Sequence, residues 1–208
     1  MAQFFSVHPE NPQPRLIRET VRILRTGGIM AYPTDSCYAL GCMIGNKPGM
    51  ERIRAIRGVD DKHHFTLVCR DLSEIAHYAR VDNRQYRLLK AATPGGYTFI
   101  LEATREVPRR LLHPKRNTIG LRVPDHPVVS ALLTELGEPI LSMTLSLPDE
   151  DRPLNDPWEI RERLEKQVDV ILDAGACSLE PTTVIDLTGQ TPELIRRGRG
   201  DLRPLGLE

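Results

Sequence analysis

Four segments of the sequence place hydroxyl or guanidinium side chains beside short apolar runs. The candidate residues are Thr34, Asp35 and Ser36 in the first segment, Thr118 and Arg122 in the second, Ser142, Thr144 and Ser146 in the third, and Arg196 in the fourth. Guanidinium groups bind carboxylates and phosphates through paired hydrogen bonds. In α/β proteins, loops at strand ends bring such groups together from separate segments. If this protein binds nucleotides, it must do so through dispersed cations and hydroxyls of this kind.

Each of these segments also has a purely structural interpretation. Serine and threonine at strand ends commonly satisfy the backbone of a turn, and an arginine before Val-Pro is commonly a solvated or ion-paired surface group. The phosphate-binding motifs GxxxxGK[ST] and GxGxxG do not occur in the sequence, and neither do the catalytic motifs GxSxG and HExxH. The functional interpretation therefore depends on the order and spacing of the four segments taken together.

Charge balance limits the classes of partner. Lys and Arg number 28, as do Asp and Glu, so the formal net charge is zero and bulk electrostatics does not favour binding to RNA or membranes. RNA would have to bind a local patch. The candidates form a basic cluster of Arg109, Arg110, Lys115 and Arg116. Such charge runs are more often solvated faces than binding sites.

Segments for export, membrane insertion or metal binding are not evident in the sequence. The apolar runs are shorter than a membrane span, and the N-terminus lacks the basic start and apolar stretch of a signal peptide. The four cysteines form no CxxC pair, which argues against a structural metal and favours reduced thiols. We therefore expect a cytoplasmic protein without a membrane partner.

Predicted helices and strands alternate along the whole chain. Apolar periodicity and capping signals predict helices at 14–28, 48–58, 71–79, 83–92, 126–136 and 156–167. Short apolar runs predict strands at 29–32, 65–69, 97–103, 118–123, 139–145, 168–175, 182–188 and 193–197. The late strands are too close together for helical crossovers, so the sheet should be mixed. We expect one α/β domain at 14–200, preceded by a lead at 1–13 and followed by a tail at 201–208.

The order of the polar segments resembles the YrdC/TsaC/YciO family of threonylcarbamoyl-AMP synthases, and especially its YciO-like branch. YPTDSCYALG at 32–41 is similar to the family's first motif, and TIGLRVPDHP at 118–127 is similar to its Gly-x-Arg-x-Pro-x-His-Pro motif. PGGYTFIL at 94–101, PTTVIDL at 181–187 and LIRRG at 194–198 resemble three further motifs. The resemblance extends over nearly the whole chain.

The resemblance implies a mixed, twisted sheet flanked by helices, with a concave, basic cavity. It also implies a reaction in which L-threonine, bicarbonate and ATP form threonylcarbamoyl-AMP and pyrophosphate for tRNA modification, with Mg²⁺ arriving with ATP. In this adenylyl transfer a carbamate oxygen attacks the α-phosphorus. Such an enzyme needs to position the reactants and stabilise phosphate charge, and it needs no protein nucleophile.

The resemblance further implies roles for single residues. Thr34 would contact the substrate threonine, and Arg122 would bind its carboxylate. The nucleotide-binding residues would be Arg57, Thr118, Ser142, Thr144, Ser146 and Arg196, with Arg57 also catalytic.

The chain departs from the family pattern at the phosphate-binding positions. Arg57 and Val59 stand where the family has Lys and Arg, and Ser146 stands where it has Asn. Lys62 or His63 could replace the missing charge. We therefore expect weakened or altered synthase activity on ATP or an adenylate and on L-threonine or a related carbamate. The alternative is a protein that binds double-stranded RNA or tRNA without synthase turnover.

Overall fold

The computed structural model describes residues 1–207, so Glu208, the last residue of the expected tail, lies outside the described part of the chain. The strands are β1 (Gln3–Ser6), β2 (Met30–Tyr32), β3 (Ala39–Met43), β4 (Thr66–Val68), β5 (Tyr97–Glu102), β6 (Thr118–Arg122), β7 (Ile140–Thr144), β8 (Val170–Asp173), β9 (Thr183–Asp186) and β10 (Glu193–Arg196). The helices are α1 (Pro14–Arg25), α2 (Lys47–Arg57), α3 (Leu72–Tyr78), α4 (Asn83–Ala92), α5 (Pro127–Leu136) and α6 (Pro157–Leu164). Within residues 1–207, none of these helices has the length and hydropathy needed to cross a bilayer.

The ten strands form one sheet in the order β1-β8-β2-β3-β7-β4-β6-β5-β9-β10. Parallel pairs such as β4 with β6 and β5 with β9 occur beside antiparallel pairs such as β3 with β7 and β5 with β6. Neighbouring strands are often far apart in the sequence, so the sheet joins all parts of the described chain. The predicted single α/β domain with a mixed sheet is confirmed.

The helices cover the two faces of the sheet unequally. On one face, α1 packs against α5, and both helices bury apolar side chains of β2, β7 and β8. On the other face, α2, α3, α4 and α6 cover a larger apolar core. Helices α1 and α5 reach over only one end of their face. At the other end of that face, the strand side chains line a cavity.

Capping residues fix where the helices near this cavity begin and end. Asn46 accepts a backbone N–H at the start of α2, and Gly58, with φ of 62°, ends that helix. His126 accepts a backbone N–H at the start of α5, and Gly137, with φ of 76°, ends it. A left-handed residue after the last turn favours glycine because a Cβ is disfavoured there. Helix α2 therefore stops with Arg57 at the cavity.

Two strands were not expected from the sequence. Strand β1 lies within the segment 1–13 and pairs in parallel with β8. Strand β3 lies between β2 and β7 and is buried along nearly its whole length, so it lacks the alternation of polar and apolar residues that marks a half-exposed strand. Helix α1 ends three residues earlier than expected, because Thr26 closes its last turn by donating to the Ile23 carbonyl.

Candidate functional site

The cavity has a volume of about 630 Å³ and a floor made of strand residues. The strand register places Ser142, Thr66, Gly120 and Ile100 side by side on β7, β4, β6 and β5. Gly120 has no side chain and so adds no atoms to the cavity floor. A Cβ at this position would lie only 3.3 Å from the Thr98 methyl carbon. Cavities of roughly 300–1,000 Å³ suit small-molecule ligands.

Arg122, the last residue of β6, is held in place by a buried ion pair. Its side chain and that of Asp35 are each 9% exposed, and the Asp35 carboxylate also accepts the Asp125 backbone N–H at 2.9 Å. Arg122 Nη1 donates to Ser36 Oγ at 3.2 Å. Its Nε is buried and has no hydrogen-bond partner within residues 1–207. Arg122 lines the cavity, so its guanidinium is placed to contact an anionic ligand through its Nη groups.

Arg57 provides a second cation at the cavity. Its Nη1 donates to the Ser146 carbonyl at 3.1 Å, and its buried Nε has no hydrogen-bond partner in the described part of the chain. Burial lowers the pKa of Arg57, but a guanidinium stays charged at neutral pH. Val59 packs against the apolar core and does not belong to the cavity lining. This wall therefore carries one fixed arginine where the family pattern has two cations.

Arg196, the last residue of β10, provides a third cation. Its Nε and Nη2 both donate to the Thr182 carbonyl, at 3.1 and 2.9 Å. The hydroxyl oxygens of Thr182 and Thr98 are 2.9 Å apart, which ties β9 to β5 beneath the guanidinium. Burial is the main cause that lowers the pKa of Arg196. The guanidinium plane is therefore fixed by the sheet before any ligand binds.

Thr34 lies beneath the cavity surface and does not belong to the described lining. Its hydroxyl donates to the Cys37 carbonyl at 2.7 Å and accepts the Ser36 backbone N–H at 3.1 Å. A hydroxyl has a single proton to donate, and here an internal turn uses it. In this structure Thr34 shapes the turn that holds Ser36 against Arg122. Its expected contact with a substrate stays a prediction.

The structure brings all the expected nucleotide-binding residues to the same cavity. The lining includes Arg57, Thr118, Ser142, Thr144, Ser146 and Arg196, together with Arg122. Ser142 Oγ lies 2.7 Å from the hydroxyl of Tyr32, a buried residue of β2. Hydroxyls and guanidinium groups from β6, β7, β10, the loop after β7 and the end of α2 therefore line one space.

The basic cluster lies mostly outside this space. Arg109, Arg110 and Lys115 are exposed and do not belong to the described lining. Arg116 does line the cavity, and it forms an ion pair of 3.4 Å with Asp186. The structure therefore separates Arg116 from the other three members of the cluster.

Several lining residues were not singled out in the sequence analysis. They are Cys37, His64, Thr66, Thr98, His113, Arg152 and Thr182. His63, considered there as a source of replacement charge, also lines the cavity, whereas Lys62 does not belong to the described lining. Thr98 could have been found from its alternation with Ile100 in a predicted strand. The histidines lie in loops, where no periodicity marks them.

The described lining of the cavity offers few carboxylate side chains that could bind a metal ion. Residues 1–207 contain no cluster of three or more His, Cys, Asp or Glu side chains arranged to hold a metal. Asp151 is the carboxylate residue of the described lining. Mg²⁺ at nucleotide sites is bound by one or two carboxylates together with substrate phosphates, and Asp151 is the residue of the lining that would supply a carboxylate to such an ion.

The cysteines offer no nucleophile at neutral pH. Cys37, Cys42, Cys69 and Cys177 are all free thiols. Burial raises the pKa of Cys37, which lines the cavity, and it raises the pKa of Cys42 to about 12 and that of Cys177 to about 11. These thiols are therefore protonated, and the chemistry of the site depends on its cations and hydroxyls.

Comparison with known proteins places the chain among close relatives. Residues 22–198 match the Sua5/YciO/YrdC family model, which carries the description "Telomere recombination". The "Uncharacterized protein YciO" of Escherichia coli K12 is 58% identical over 204 residues, which cover 98% of this chain and 99% of that protein. The crystal structure of E. coli YciO has a TM-score of 0.94 at 57% identity and covers 99% of this chain and 100% of that chain.

More distant relatives carry functional names. The threonylcarbamoyl-AMP synthase of Halorhodospira halophila is 29% identical over 191 residues, which cover 91% of this chain and 98% of that protein. P. abyssi Sua5 complexed with L-threonine shares the fold, with a TM-score of 0.85 at 23% identity over 94% of this chain and 57% of that chain. The family model and the YciO similarity both span nearly the whole sequence. The chain therefore belongs to the Sua5/YciO/YrdC family.

Proposed function

We propose that the cavity binds ATP, or an adenylate, together with L-threonine or a related carbamate, and that the protein catalyses adenylyl transfer. The observation that carries this proposal is Arg122, a guanidinium that lines a small-molecule cavity and is held there by the Asp35 ion pair. A substrate carboxylate in the cavity would accept from its Nη groups. The Asp35 ion pair keeps the guanidinium in position for it.

The nucleotide side of the proposal depends on Arg57 and Arg196. In the transfer, a carbamate oxygen forms a bond to the α-phosphorus, the bond from that phosphorus to the bridging oxygen breaks, and pyrophosphate leaves. Negative charge develops on the phosphate oxygens, where fixed cations and hydroxyl donors stabilise it. Mg²⁺ would add charge neutralisation when it arrives with ATP. The cavity residues would orient the two reactants.

The rate should be lower than that of relatives with both family cations. Val59 contributes no charge, and Ser146 is shorter than the asparagine of the family pattern. Loss of one preorganised donor commonly lowers the rate by about 10²–10³-fold. We therefore expect slow formation of threonylcarbamoyl-AMP, for use in tRNA modification in the cytoplasm, while threonine binding is better retained.

Two relatives support this proposal. One is named threonylcarbamoyl-AMP synthase, and the other has L-threonine bound in a protein of the same fold. Their names describe those proteins, and the activity of the present chain needs its own test.

The test is pyrophosphate release from ATP in the presence of L-threonine and bicarbonate, with product identified by mass spectrometry. Omission of threonine should abolish release. Release at the background rate with all three substrates, together with no calorimetric signal for threonine or ATP, would refute the proposal.

Arg122→Lys provides the matched variant, because it keeps the positive charge beside Asp35 and removes the guanidinium fork. We expect it to weaken threonine binding by about 10-fold or more, since a hydrogen bond to a charged group contributes roughly 1.5–3 kcal/mol. Arg110→Lys, on the exposed surface, should leave binding unchanged. Equal threonine affinities of Arg122→Lys and Arg110→Lys would show that Arg122 does not bind the substrate.

RNA binding is the second candidate function. Arg109, Arg110 and Lys115 are exposed, and no carboxylate of residues 1–207 lies within ion-pair distance of them. Exposed cations without partners are available to phosphates. In this alternative the protein would bind double-stranded RNA or tRNA without synthase turnover.

A further inference from the structure

Three of the six histidines of the sequence lie around the cavity. His63 and His64 precede β4, and His113 follows the 3₁₀ turn Arg109–Leu111. The rings of His64 and His113 are 5.3 Å apart and tilted by 47°. Segments more than 40 residues apart in the sequence thus bring two imidazoles together at the cavity.

Backbone hydrogen bonds fix the protonation pattern of His113. Its Nδ1 accepts the backbone N–H groups of Lys115 and Arg116, at 3.3 and 3.2 Å. A nitrogen that accepts these hydrogen bonds carries no proton, so the proton of the neutral ring is on Nε2. The neutral form of His113 can therefore donate a hydrogen bond from Nε2 while its Nδ1 holds the loop at Lys115 and Arg116.

His64 differs from His113, since its ring forms no hydrogen bond with any group of residues 1–207. Partial burial is the main cause that lowers the pKa of His64, and the neighbouring His113 and Arg54 lower it further. The pKa of His63 is also lowered, chiefly by burial and then by Arg57, while Asp60 opposes that change. In the free protein His64 is therefore neutral at physiological pH, and an anion beside it would favour its protonation.

We propose that His64 and His113 form a proton-coupled binding site for a phosphate-like anion, in which His113 donates from Nε2 and His64 takes up a proton when the anion binds. The inference rests on the proposed function where it assigns that anion to a phosphate group of the bound nucleotide. The anion site itself is inferred from the proximity of the two rings at the cavity, 5.3 Å between centroids, and from the Nε2 proton of the neutral His113 ring. It would supply, from histidine, charge that the family pattern takes from lysine and arginine.

The charges around the two rings favour an anion. Cations come from α2, through Arg54 and Arg57, and from the loops, through Arg116 and Arg152. Of the lining residues, Arg116 is already paired with Asp186, whereas Arg57 and Arg152 form no ion pair within residues 1–207, and Asp151 is the carboxylate. Asp60, which accepts the Lys62 backbone N–H, and Asp61 lie outside the described lining. An anion would therefore neutralise positive charge that the lining leaves unpaired.

Proton uptake by His64 is coupled to anion binding, and this coupling sets how the anion affinity changes with pH. An anion within about 4–6 Å raises a histidine pKa by one unit or more. His64 would then bind a proton more tightly in the complex than in the free protein, so anion affinity should rise as pH falls through the histidine range. Carboxylates and thiols ordinarily titrate outside that range, and the third histidine of the lining is His63, whose pKa burial also lowers.

Inorganic sulfate is the suitable probe, because its charge does not change between about pH 5.5 and pH 8, the range that brackets the ordinary histidine pKa. We expect calorimetry on the full chain to show at least about 5-fold tighter binding at the lower pH. ATP added at the lower pH should displace sulfate. Equal sulfate affinity at the two pH values would overturn the proposal, and failure of ATP to compete would overturn the assignment to a nucleotide phosphate.

Three variants separate the two histidine roles. His64→Gln should remove most of the pH dependence, leaving less than about a threefold change. His113→Asn keeps an acceptor for the Lys115 and Arg116 N–H groups but removes the Nε2 donor, so it should weaken binding at both pH values and preserve their ratio. His77→Gln changes an exposed histidine elsewhere and should match the unaltered protein. Unchanged pH dependence in His64→Gln would refute the assignment.

A spectroscopic measurement does not depend on these variants. In NMR titrations, the His64 ring resonance should report a higher pKa with sulfate than without it, whereas His77 should report the same value. An unchanged His64 titration would contradict proton uptake. Because sulfate binding requires no turnover, absence of synthase activity together with no binding of threonine or ATP would refute the proposed function and leave the sulfate result standing.

Discussion

At the scale of single residues, the cavity depends on the ion pair between Arg122 and Asp35, whose side chains are each only 9% exposed. Truncation of one partner leaves the other charge buried without compensation. Asp35→Ala should therefore lower the free energy of unfolding by about 3–5 kcal/mol, as for other buried pairs. Urea denaturation at neutral pH measures this change.

Asp149→Ala is the control, because Asp149 is exposed and forms no ion pair within residues 1–207. It should change the unfolding free energy by less than about 0.5 kcal/mol. If Asp35→Ala is as stable as this control, then solvent or another group compensates Arg122, and its position no longer depends on Asp35.

Tyr32 gives the protein a pH-dependent stability. Burial raises the pKa of Tyr32 to about 12, against a hydrogen bond to Ser142 that acts in the opposite direction. The ordinary tyrosine pKa is about 10. Because the folded-state pKa is the higher one, this contribution is complete below about pH 10 and is lost as pH rises towards about 12, by up to about 1.4 kcal/mol per pH unit.

Tyr32→Phe should therefore make the unfolding free energy decline less steeply between about pH 10 and pH 11.5. The variant loses the Ser142 hydrogen bond at every pH, which changes the level of stability but not this slope. Burial also raises the pKa of Cys42 to about 12, so Cys42 contributes to the same decline in stability from a lower pH onwards. Because Cys42 is present in both proteins, it does not affect the comparison of their slopes. Tyr86→Phe, at a side chain that is 47% exposed, should keep the original slope. Equal slopes for both variants would exclude Tyr32 as the source.

At the scale of elements, the end of α2 positions Arg57 through a glycine. Gly58 has φ of 62°, and a Cβ there would lie 2.5 Å from the Pro148 Cγ. Gly137 ends α5 with φ of 76° and has no atom of the described residues within 4 Å of such a Cβ. Alanine at either position incurs backbone strain of roughly 1–2 kcal/mol, but only Gly58→Ala adds a clash.

Gly58→Ala should therefore destabilise the fold more than Gly137→Ala, by about 1–3 kcal/mol, the usual range for overpacking. It should also weaken nucleotide binding, because displacement of Pro148 disturbs Ser146, whose carbonyl accepts from Arg57. Urea denaturation and calorimetry with ATP test the two effects. Equal destabilisation in both variants would show that the segment at Pro148 moves aside freely.

The helices were more predictable than the strands, for local reasons. Helix α5 was expected at 126–136 and occupies Pro127–Leu136, since proline at its start, apolar spacing and Gly137 act within the segment. Strand β3 was missed because its residues are buried through pairing with β2 and β7, which no local pattern encodes. Residues that share a strand could be grouped: Thr118 and Arg122 were placed in one predicted strand, and both line the cavity.

At the scale of the whole molecule, the site exists because the chain order differs from the strand order. The cavity floor takes neighbouring residues from β7, β4, β6 and β5, which are not consecutive along the chain. The meeting of His64 with His113 depends on this long-range order. This proximity could not be predicted from residue spacing, whereas the family motifs identified Arg57, Arg122 and Arg196 in the sequence.

The charge of the whole molecule limits how it could bind RNA. With zero net charge, long-range attraction is weak, and three members of the basic cluster, Arg109, Arg110 and Lys115, are exposed without ion pairs in the described chain. Neutralising three phosphates gives a slope of log affinity against log salt of about −3 at most. Affinity for a short RNA duplex should then fall by about 40- to 60-fold between about 50 and 200 mM salt.

Replacing Arg109, Arg110 and Lys115 together by Gln should flatten this salt dependence, because those side chains would release the RNA counterions. Arg122→Lys should leave both the slope and the RNA affinity unchanged, since Arg122 lies inside the cavity. The same triple variant should retain its affinity for ATP. If the triple variant keeps the original slope, or if Arg122→Lys flattens it, then RNA does not bind at the basic cluster. Filter binding across a salt series distinguishes these outcomes, because a nucleotide cavity and an RNA surface respond to different substitutions.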